Sequence, residues 1–363
     1  MAEWKEYELN QICSRLSSGK GLPAKKISDS GKYPVYGGNG LRGYTETANF
    51  EGDCAIIGRQ GAYCGNVRYF SGTAYMTEHA VVTCANENNN TRYLSYLLST
   101  MNLGRLSGQS AQPGLSVKTL GKQVVKVPPL TIQNKIVSIL AALDTKIEDN
   151  EKINKNLEQQ AQVIFKSWFI DLEPFSNRKP SNWSVSTLGN VSIMGAGGDK
   201  PQNVSQIKTD LYKYPIYSNG LSNEGLYGFT DKPKISEESV TVSARGTIGF
   251  VCLRHSPYVP IVRLVTLTPK TEIISAKYLY LWLKQLHITG TGTTQQQLTV
   301  PDFQKTEILI PSQEIVTLFT ATVNPIFEKI WANQNENEKL SSLRDTLLPR
   351  LMSGELDVSE IEF

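Results

Sequence analysis

At 363 residues, with 40% hydrophobic and 20% charged side chains, the chain has an ordinary globular composition and length for two domains or more. A net charge of +3 permits a polyanionic partner without demanding one. Five cysteines without a CxxC pair argue against a disulfide framework or a zinc site, no apolar run approaches membrane-spanning length, and the MAEWKEYELN start lacks a leader pattern, so a reducing cytoplasm is expected.

Residues 1–128 form a first globule with mostly β cues. Short runs such as Cys54 to Ile57 and Ala80 to Thr83 are rich in β-formers and bounded by Gly or Asn, and one helical run spans Thr91 to Ser99. Gly38-Asn39-Gly40-Leu41-Arg42-Gly43 satisfies GxGxxG, but Tyr44-Thr45-Glu46-Thr47 follows where a dinucleotide site needs a helix to open. A β-turn is the expectation there.

Residues 129–172 form a helical spacer. Ile136, Leu140, Leu143, Ile147, Asn150, Asn154, Leu157, Ala161, Ile164 and Trp168 alternate by four and three, the spacing of a coiled-coil seam. A polar, proline-bearing linker, 173–182, leads into a second globule, 183–311. Its strand cues include Ser239 to Val242 and Ile261 to Leu267, and its helical run is Ala276 to Leu286. A second helical spacer, 312–354, precedes a short tail, 355–363. Phe319, Val323, Ile326, Ile330, Asn333, Asn337, Leu340, Arg344, Leu347 and Leu351 repeat the seam, with Asn333 and Asn337 placed 183 positions after Asn150 and Asn154.

An asparagine in a seam stays satisfied only opposite a polar partner, so it specifies register at some cost in stability. Antiparallel pairing of Asn150 with Asn337 and Asn154 with Asn333 brings Ile147 to Leu340, Leu157 to Ile330 and Ala161 to Ile326. Such helices suit either a dimerisation coil or a spacer tens of ångströms long. Pro325 removes a backbone donor, so the last helix is expected to restart there with Asn324 as cap, and Asp144, Thr145 and Glu148 to cap the first copy similarly. A short helix followed by a long one is expected in each copy.

The repeat runs through the whole chain. Trp4 to Leu9 answers to Trp183 to Leu188, Tyr33-Pro34-Val35-Tyr36 to Tyr214-Pro215-Ile216-Tyr217, Asn39-Gly40-Leu41 to Asn219-Gly220-Leu221, and Arg59 to Arg245. The expected fold is α+β, with two β-rich domains separated by an antiparallel pair of long coiled-coil helices in an internal pseudo-two-fold repeat.

No catalytic set stands out. Asn324-Pro325-Ile326-Phe327 lacks the second proline of the adenine-methyltransferase NPP(Y/F) motif, Pro301-Asp302 with Glu307 lacks a nuclease lysine, and His79, His255 and His287 are isolated from one another and from cysteines. What remains is donor-rich loop chemistry: Tyr36, Asn39, Arg42, Arg59, Gln60, Tyr63, Gln109 and Gln112 in the first half, and Asn219, Arg245, Thr247, Gln295, Gln296 and Gln297 in the second. Arg can bind guanine bidentately, Gln and Asn can bind adenine, and other Lys and Arg can hold phosphates, although loop amides are also ordinary solvated surface.

Taken together, Tyr33-Pro34-Val35-Tyr36-Gly37-Gly38-Asn39-Gly40, Val127-Pro128-Pro129-Leu130 with Gln133, Phe165-Lys166-Ser167-Trp168-Phe169-Ile170-Asp171 and Leu347-Leu348-Pro349-Arg350-Leu351-Met352-Ser353-Gly354-Glu355-Leu356 cover the plan of the chain. It resembles the specificity subunits of type I restriction-modification systems. The resemblance implies two target-recognition domains, each reading half of a split asymmetric DNA site, spaced by the helix pair; by analogy with paired readers on duplex DNA, a gap of about one helical turn is expected. It implies docking to two DNA adenine methyltransferase subunits and to restriction/translocase subunits. This chain would be non-catalytic alone and bind no cofactor, with S-adenosylmethionine, ATP and Mg on the partner subunits. The rival reading is a non-catalytic protein-binding scaffold with duplicated domains.

Overall fold

The computed structural model describes residues 3–107, 114–290 and 296–361. The chain divides into two units, one of residues 1–150 with 335–363 and the other of residues 151–334. Each is built around one β-rich globule and a stretch of antiparallel helix pair.

In the first unit the strands are β1 (Lys5–Glu8), β2 (Cys13–Ser18), β3 (Tyr33–Gly37), β4 (Gly40–Thr45), β5 (Phe50–Gly58), β6 (Val67–Met76), β7 (Ala80–Ala85) and β8 (Val124–Val127). Its short helices are α1 (Leu9–Ile12), α2 (Thr91–Thr100) and α3 (Val117–Gly121), and α4 (Leu130–Phe169) begins here. Six strands make one sheet in the order β2-β7-β5-β6-β3-β4, while β1 pairs antiparallel with β8 and so joins the two ends of the globule. The β3–β6 pair is parallel, so the chain must cross over between them.

Helix α2 forms where Asn90 caps it, its side chain accepting from the backbones of Arg92 (2.8 Å) and Tyr93 (3.0 Å). It buries Tyr93, Leu94, Leu97 and Leu98 against the sheet. Gln133, fully buried at the start of α4, accepts from the Asn90 backbone (2.9 Å) and donates to the Pro128 carbonyl (2.9 Å), fixing where the long helix departs.

The second unit repeats the plan with β9 (Ser184–Thr187), β10 (Ser192–Ala196), β11 (Tyr214–Tyr217), β12 (Leu226–Thr230), β13 (Ser239–Val242), β14 (Val251–Arg254), β15 (Val259–Pro260), β16 (Val265–Pro269) and β17 (Glu307–Ile310). Its helices are α5 (Leu188–Val191), α6 (Ala276–Gln285), α7 (Val300–Phe303) and the greater part of α8 (Gln313–Met352), whose end lies in the first unit. Again the first and last strands pair, β9 with β17, and again one pair, β11–β15, is parallel. The sheet is split, however, into β10-β16-β13-β14 and β12-β11-β15. The Phe165–Phe169 motif is core: the rings of Phe165 and Phe169 lie 5.8 and 4.9 Å from that of Phe319, and Trp168 lies 5.7 Å from it.

Both long helices differ from the expected short-then-long form; each is continuous over 40 residues. Pro325 lies inside α8, where the lost hydrogen bond and ring clash cost about 3 kcal/mol. Burial of Val323 and Phe327 on either side offsets that cost. In α4, Asp144 is turned sideways to accept from the Tyr96 hydroxyl and from Arg344 Nη1 (3.1 Å), so it cannot cap a new turn.

Within the first unit Asn150, 1% exposed, donates to Asn337 Oδ1 (2.8 Å) and Glu336 Oε2 (2.8 Å). Within the second, Asn333, also 1% exposed, donates to Asn154 Oδ1 (2.8 Å), and Leu157, Ala161, Ile326 and Ile330 share one core. The β-branched run from Ile261 predicts a strand, but strand pairing resumes only at Val265; residues 262 and 263 make a turn with left-handed backbone.

Candidate nucleic-acid interface

In the first unit the predicted polar residues gather where the β3–β4 hairpin meets the end of β5 and the turn between β6 and β7. Asn39 is exposed at the hairpin tip and Arg42 is exposed on β4. A Cβ on Gly37 would lie 2.7 Å from Arg42 Cδ, and one on Gly40 would lie 3.2 Å from the Arg68 guanidinium carbon. The two glycines thus let two arginines lie close along the hairpin. Tyr36 is braced from below by Phe70, with ring centroids 5.0 Å apart, and burial pushes its hydroxyl pKa up.

Beside the hairpin, Arg59 Nη1 reaches the Glu78 carbonyl (3.5 Å), and its backbone N–H donates to the His79 carbonyl (3.0 Å). Gln60 Oε1 lies 3.0 Å from His79 Nδ1, and Glu78 Oε1 lies 3.4 Å from His79 Nε2. Tyr63 is 45% exposed. The resulting surface offers guanidinium donors with a carboxylate and an imidazole among them, a mixture able to address both phosphates and base edges. Gln109 and Gln112 lie outside the described residues.

In the second unit the predicted residues divide by role. Both ends of the Asn219 amide are used on backbone: Nδ2 donates to the Val262 carbonyl (2.6 Å) and Oδ1 accepts from the Ala244 N–H (2.7 Å). Arg245 is exposed and donates through Nη2 to Gln297 Oε1 (2.9 Å). Thr247 and Gln296 are exposed nearby in sequence, and Gln295 lies outside the described residues.

Hydrogen bonding corrects the match between the two halves by one residue. Gly58 N–H donates to Asn66 as Ser243 N–H does to Phe250, and Leu115 N–H donates to the Arg59 carbonyl as Leu298 N–H does to that of Ala244. Arg59 therefore corresponds to Ala244, and Gln60 to Arg245. Counting on from Tyr36 and Tyr217, whose carbonyls serve the same crossover, Gly38 corresponds to Asn219. A Cβ at Gly38 would sit 2.9 Å from the His79 carbonyl oxygen, so the first unit closes backbone to backbone where the second inserts an amide.

Sequence reasoning missed Arg254, which is 4% exposed at the end of β14. Its guanidinium stacks 3.6 Å from the Tyr217 ring centroid and donates to Glu224 Oε2 (2.9 Å), the Glu224 carbonyl (2.7 Å) and Thr241 Oγ1 (3.1 Å). It occupies the place Phe70 takes beneath Tyr36, because Ser239 pairs with Arg254 as Cys54 pairs with Phe70. Only the repeat, once registered by strand pairing, carries that signal. Arg68, Glu78, His79, Val262 and Arg263 likewise carry no motif in the sequence.

Among the described residues no group of three or more His, Cys, Asp or Glu side chains is placed to hold a metal ion, and no helix is long and apolar enough to cross a membrane. All five cysteines are free thiols.

A family model described as type I restriction modification DNA specificity domain matches residues 1–159 and 180–340. A protein of Mycoplasma pneumoniae named as a type I specificity subunit is 31% identical over 341 residues, covering 91% of each chain. The specificity subunit of the type I restriction enzyme MjaIX of Methanocaldococcus jannaschii is 30% identical, over 74% of this chain and 70% of its own. The crystal structure of a type I restriction-modification S subunit from M. genitalium superposes with a TM-score of 0.62 over 96% of each chain at 17% identity, a likeness of fold.

Proposed function

The chain belongs to the family of type I restriction-modification DNA specificity subunits, and we propose that its two globules read the two halves of one split, asymmetric DNA target. One observation carries this reading. The same hydrogen-bonded framework recurs in both units, yet the side chains at corresponding exposed positions differ: Gln60 where the other has Arg245, His79 where the other has Arg263. A duplicated frame with unlike donors and acceptors suits two readers of unlike sequences.

The role of this chain is then choice of target. It presents DNA to two adenine methyltransferase subunits that carry S-adenosylmethionine, and to restriction/translocase subunits that use ATP and Mg. Arg42, Arg59 and Arg68 hold phosphates or guanines in one half-site, and Arg245 does so in the other.

The test is to co-express the chain with its methyltransferase partner subunit and map methylated adenines across the genome by long-read sequencing. A split motif with one fixed gap is expected. A stable complex that methylates nothing would favour the protein-binding scaffold instead, and salt-independent DNA binding would argue the same way.

A further inference from the structure

Each unit returns from its parallel crossover through one tight turn. In the first unit the Thr77 N–H donates to the Tyr36 carbonyl (2.9 Å) and the Ala80 N–H to the Thr77 carbonyl (3.0 Å). In the second, the Ile261 N–H donates to the Tyr217 carbonyl (2.9 Å) and the Leu264 N–H to the Ile261 carbonyl (3.1 Å). A neighbouring segment braces both: Gly19 N–H donates to the Ala80 carbonyl (3.0 Å), and Gly197 N–H to that of Leu264 (2.8 Å). The bracing segment needs glycine, since a Cβ would come within 2.2 Å of the Met76 carbonyl oxygen at Gly19 and 2.6 Å of the Ile261 carbonyl oxygen at Gly197.

On this shared frame the two central residues differ completely. They are Glu78-His79 in one unit and Val262-Arg263 in the other. The Glu78 and His79 side chains are 43% and 45% exposed, Val262 is 52% exposed, and Arg263 is exposed with no hydrogen bond or ion pair from its guanidinium among the described residues. Val262 and Arg263 have φ of 52° and 60°, a region unfavourable for a β-branched residue. The conformation is enforced on every side, by Val262 N–H to the Gly198 carbonyl (2.9 Å), Arg263 N–H to the Gly197 carbonyl (2.8 Å) and Asn219 Nδ2 to the Val262 carbonyl. Glu78 and His79 are half-buried and free of such strain; at Val262-Arg263, strain maintained by so many bonds under two exposed side chains is expected where those side chains meet a ligand.

We infer that this turn is the specificity determinant of each unit, Glu78-His79 selecting bases in one half-site and Val262-Arg263 in the other. The inference rests on the reading of one half-site per unit. The chemistry assigns the preferences. The Arg263 guanidinium donates two hydrogen bonds to guanine O6 and N7, with the Val262 methyls against a neighbouring thymine methyl. Glu78 accepts from cytosine N4, with His79 donating beside it.

The test uses the full chain in complex with its methyltransferase partner and reads the methylated motif for Arg263→Gln, Arg263→Lys, Val262→Gly and Glu78→Gln. Val262→Gly relieves the backbone strain, so it keeps the fold. Each variant at residue 262 or 263 is expected to accept other bases at one or two positions of one half-site, with discrimination there falling at least about fivefold and the other half-site unchanged. Glu78→Gln is expected to do the same in the opposite half-site. Arg263→Lys keeps the charge but loses the fork, so a motif left intact by lysine would reduce Arg263 to a phosphate contact and overturn the inference. Unchanged motifs in all four variants, or equal relaxation of both half-sites, would also overturn it. A parent complex whose motif is not split would instead remove the reading beneath it.

Discussion

Asn150 and Asn337 share a side-chain hydrogen bond of 2.8 Å inside the seam of the helix pair, with Asn150 only 1% exposed. Replacing either alone by leucine removes that bond and sets an amide against an apolar side chain, leaving Asn150 with Glu336 alone or Asn337 with the Ile147 carbonyl (3.3 Å) alone, a cost of about 1–3 kcal/mol. Replacing both should restore or exceed the parent stability, because the seam then closes with apolar side chains, while register is loosened. Thermal melts of the two single variants and the double would show this as a positive coupling.

Arg254 is fully enclosed and serves three acceptors beneath Tyr217. Arg254→Met should destabilise the second unit by about 2–4 kcal/mol, because Thr241 loses a partner and the Ser222–Gly225 loop loses its anchor. Chemical denaturation measures the loss. The methylated motif at permissive temperature should change in one half-site alone.

Val262→Gly should stabilise the chain slightly, by about 0.5–1 kcal/mol, since the left-handed penalty of a β-branched residue exceeds the entropy that glycine loses on folding. Calorimetry should find a melting temperature higher by about 2 °C.

Burial alone would raise the Glu158 carboxyl pKa, but hydrogen bonds from the Tyr280 hydroxyl and Lys284 Nζ (3.0 Å) outweigh it and hold the group below its ordinary 4.5. A carboxyl depressed on folding contributes stability above its unfolded pKa and loses it as pH falls through the folded value. The second unit should therefore weaken below about pH 4.5, and Glu158→Gln should flatten that part of the pH profile of the melting temperature.

Arg59→Ala should relax one half-site only and reduce the slope of log affinity against log salt by at most about one counterion. Filter binding across a salt series, with oligonucleotides altered in one half-site at a time, separates the two effects. Equal loss at both half-sites would reject direct readout by Arg59.

The helix pair is legible in the sequence because seam residues recur at a fixed interval and asparagine tolerates few partners. Asn150, Asn154, Asn333 and Asn337 announce both the interface and its polarity. Other features were hidden for definite reasons. Pro325 reads as a helix start, since local chemistry says nothing of the core that carries the helix past it. Identity of residue type drew Arg59 toward Arg245, whereas the backbone bonds of Leu115 and Leu298 set the true correspondence one residue away. Val262 reads as strand because β-branched residues dominate there, and only three-dimensional bracing can hold valine at φ 52°. Arg254 has no motif at all; its meaning comes from the tyrosine above it.

The seam has a consequence in time. Asn333 and Asn337 emerge from the ribosome 183 residues after Asn150 and Asn154, which at 5–20 residues per second is a delay of about 10–40 s. For most of that interval α4 is complete while the helix it pairs with is still unsynthesised. A nascent chain thus displays an apolar stripe punctuated by two amides, and polysome crowding would bring such stripes from neighbouring chains together before the intended partner exists. A seam asparagine disfavours any pairing that sets it opposite an apolar side chain, so Asn150 and Asn154, which fix the final register, also work against premature contacts out of register.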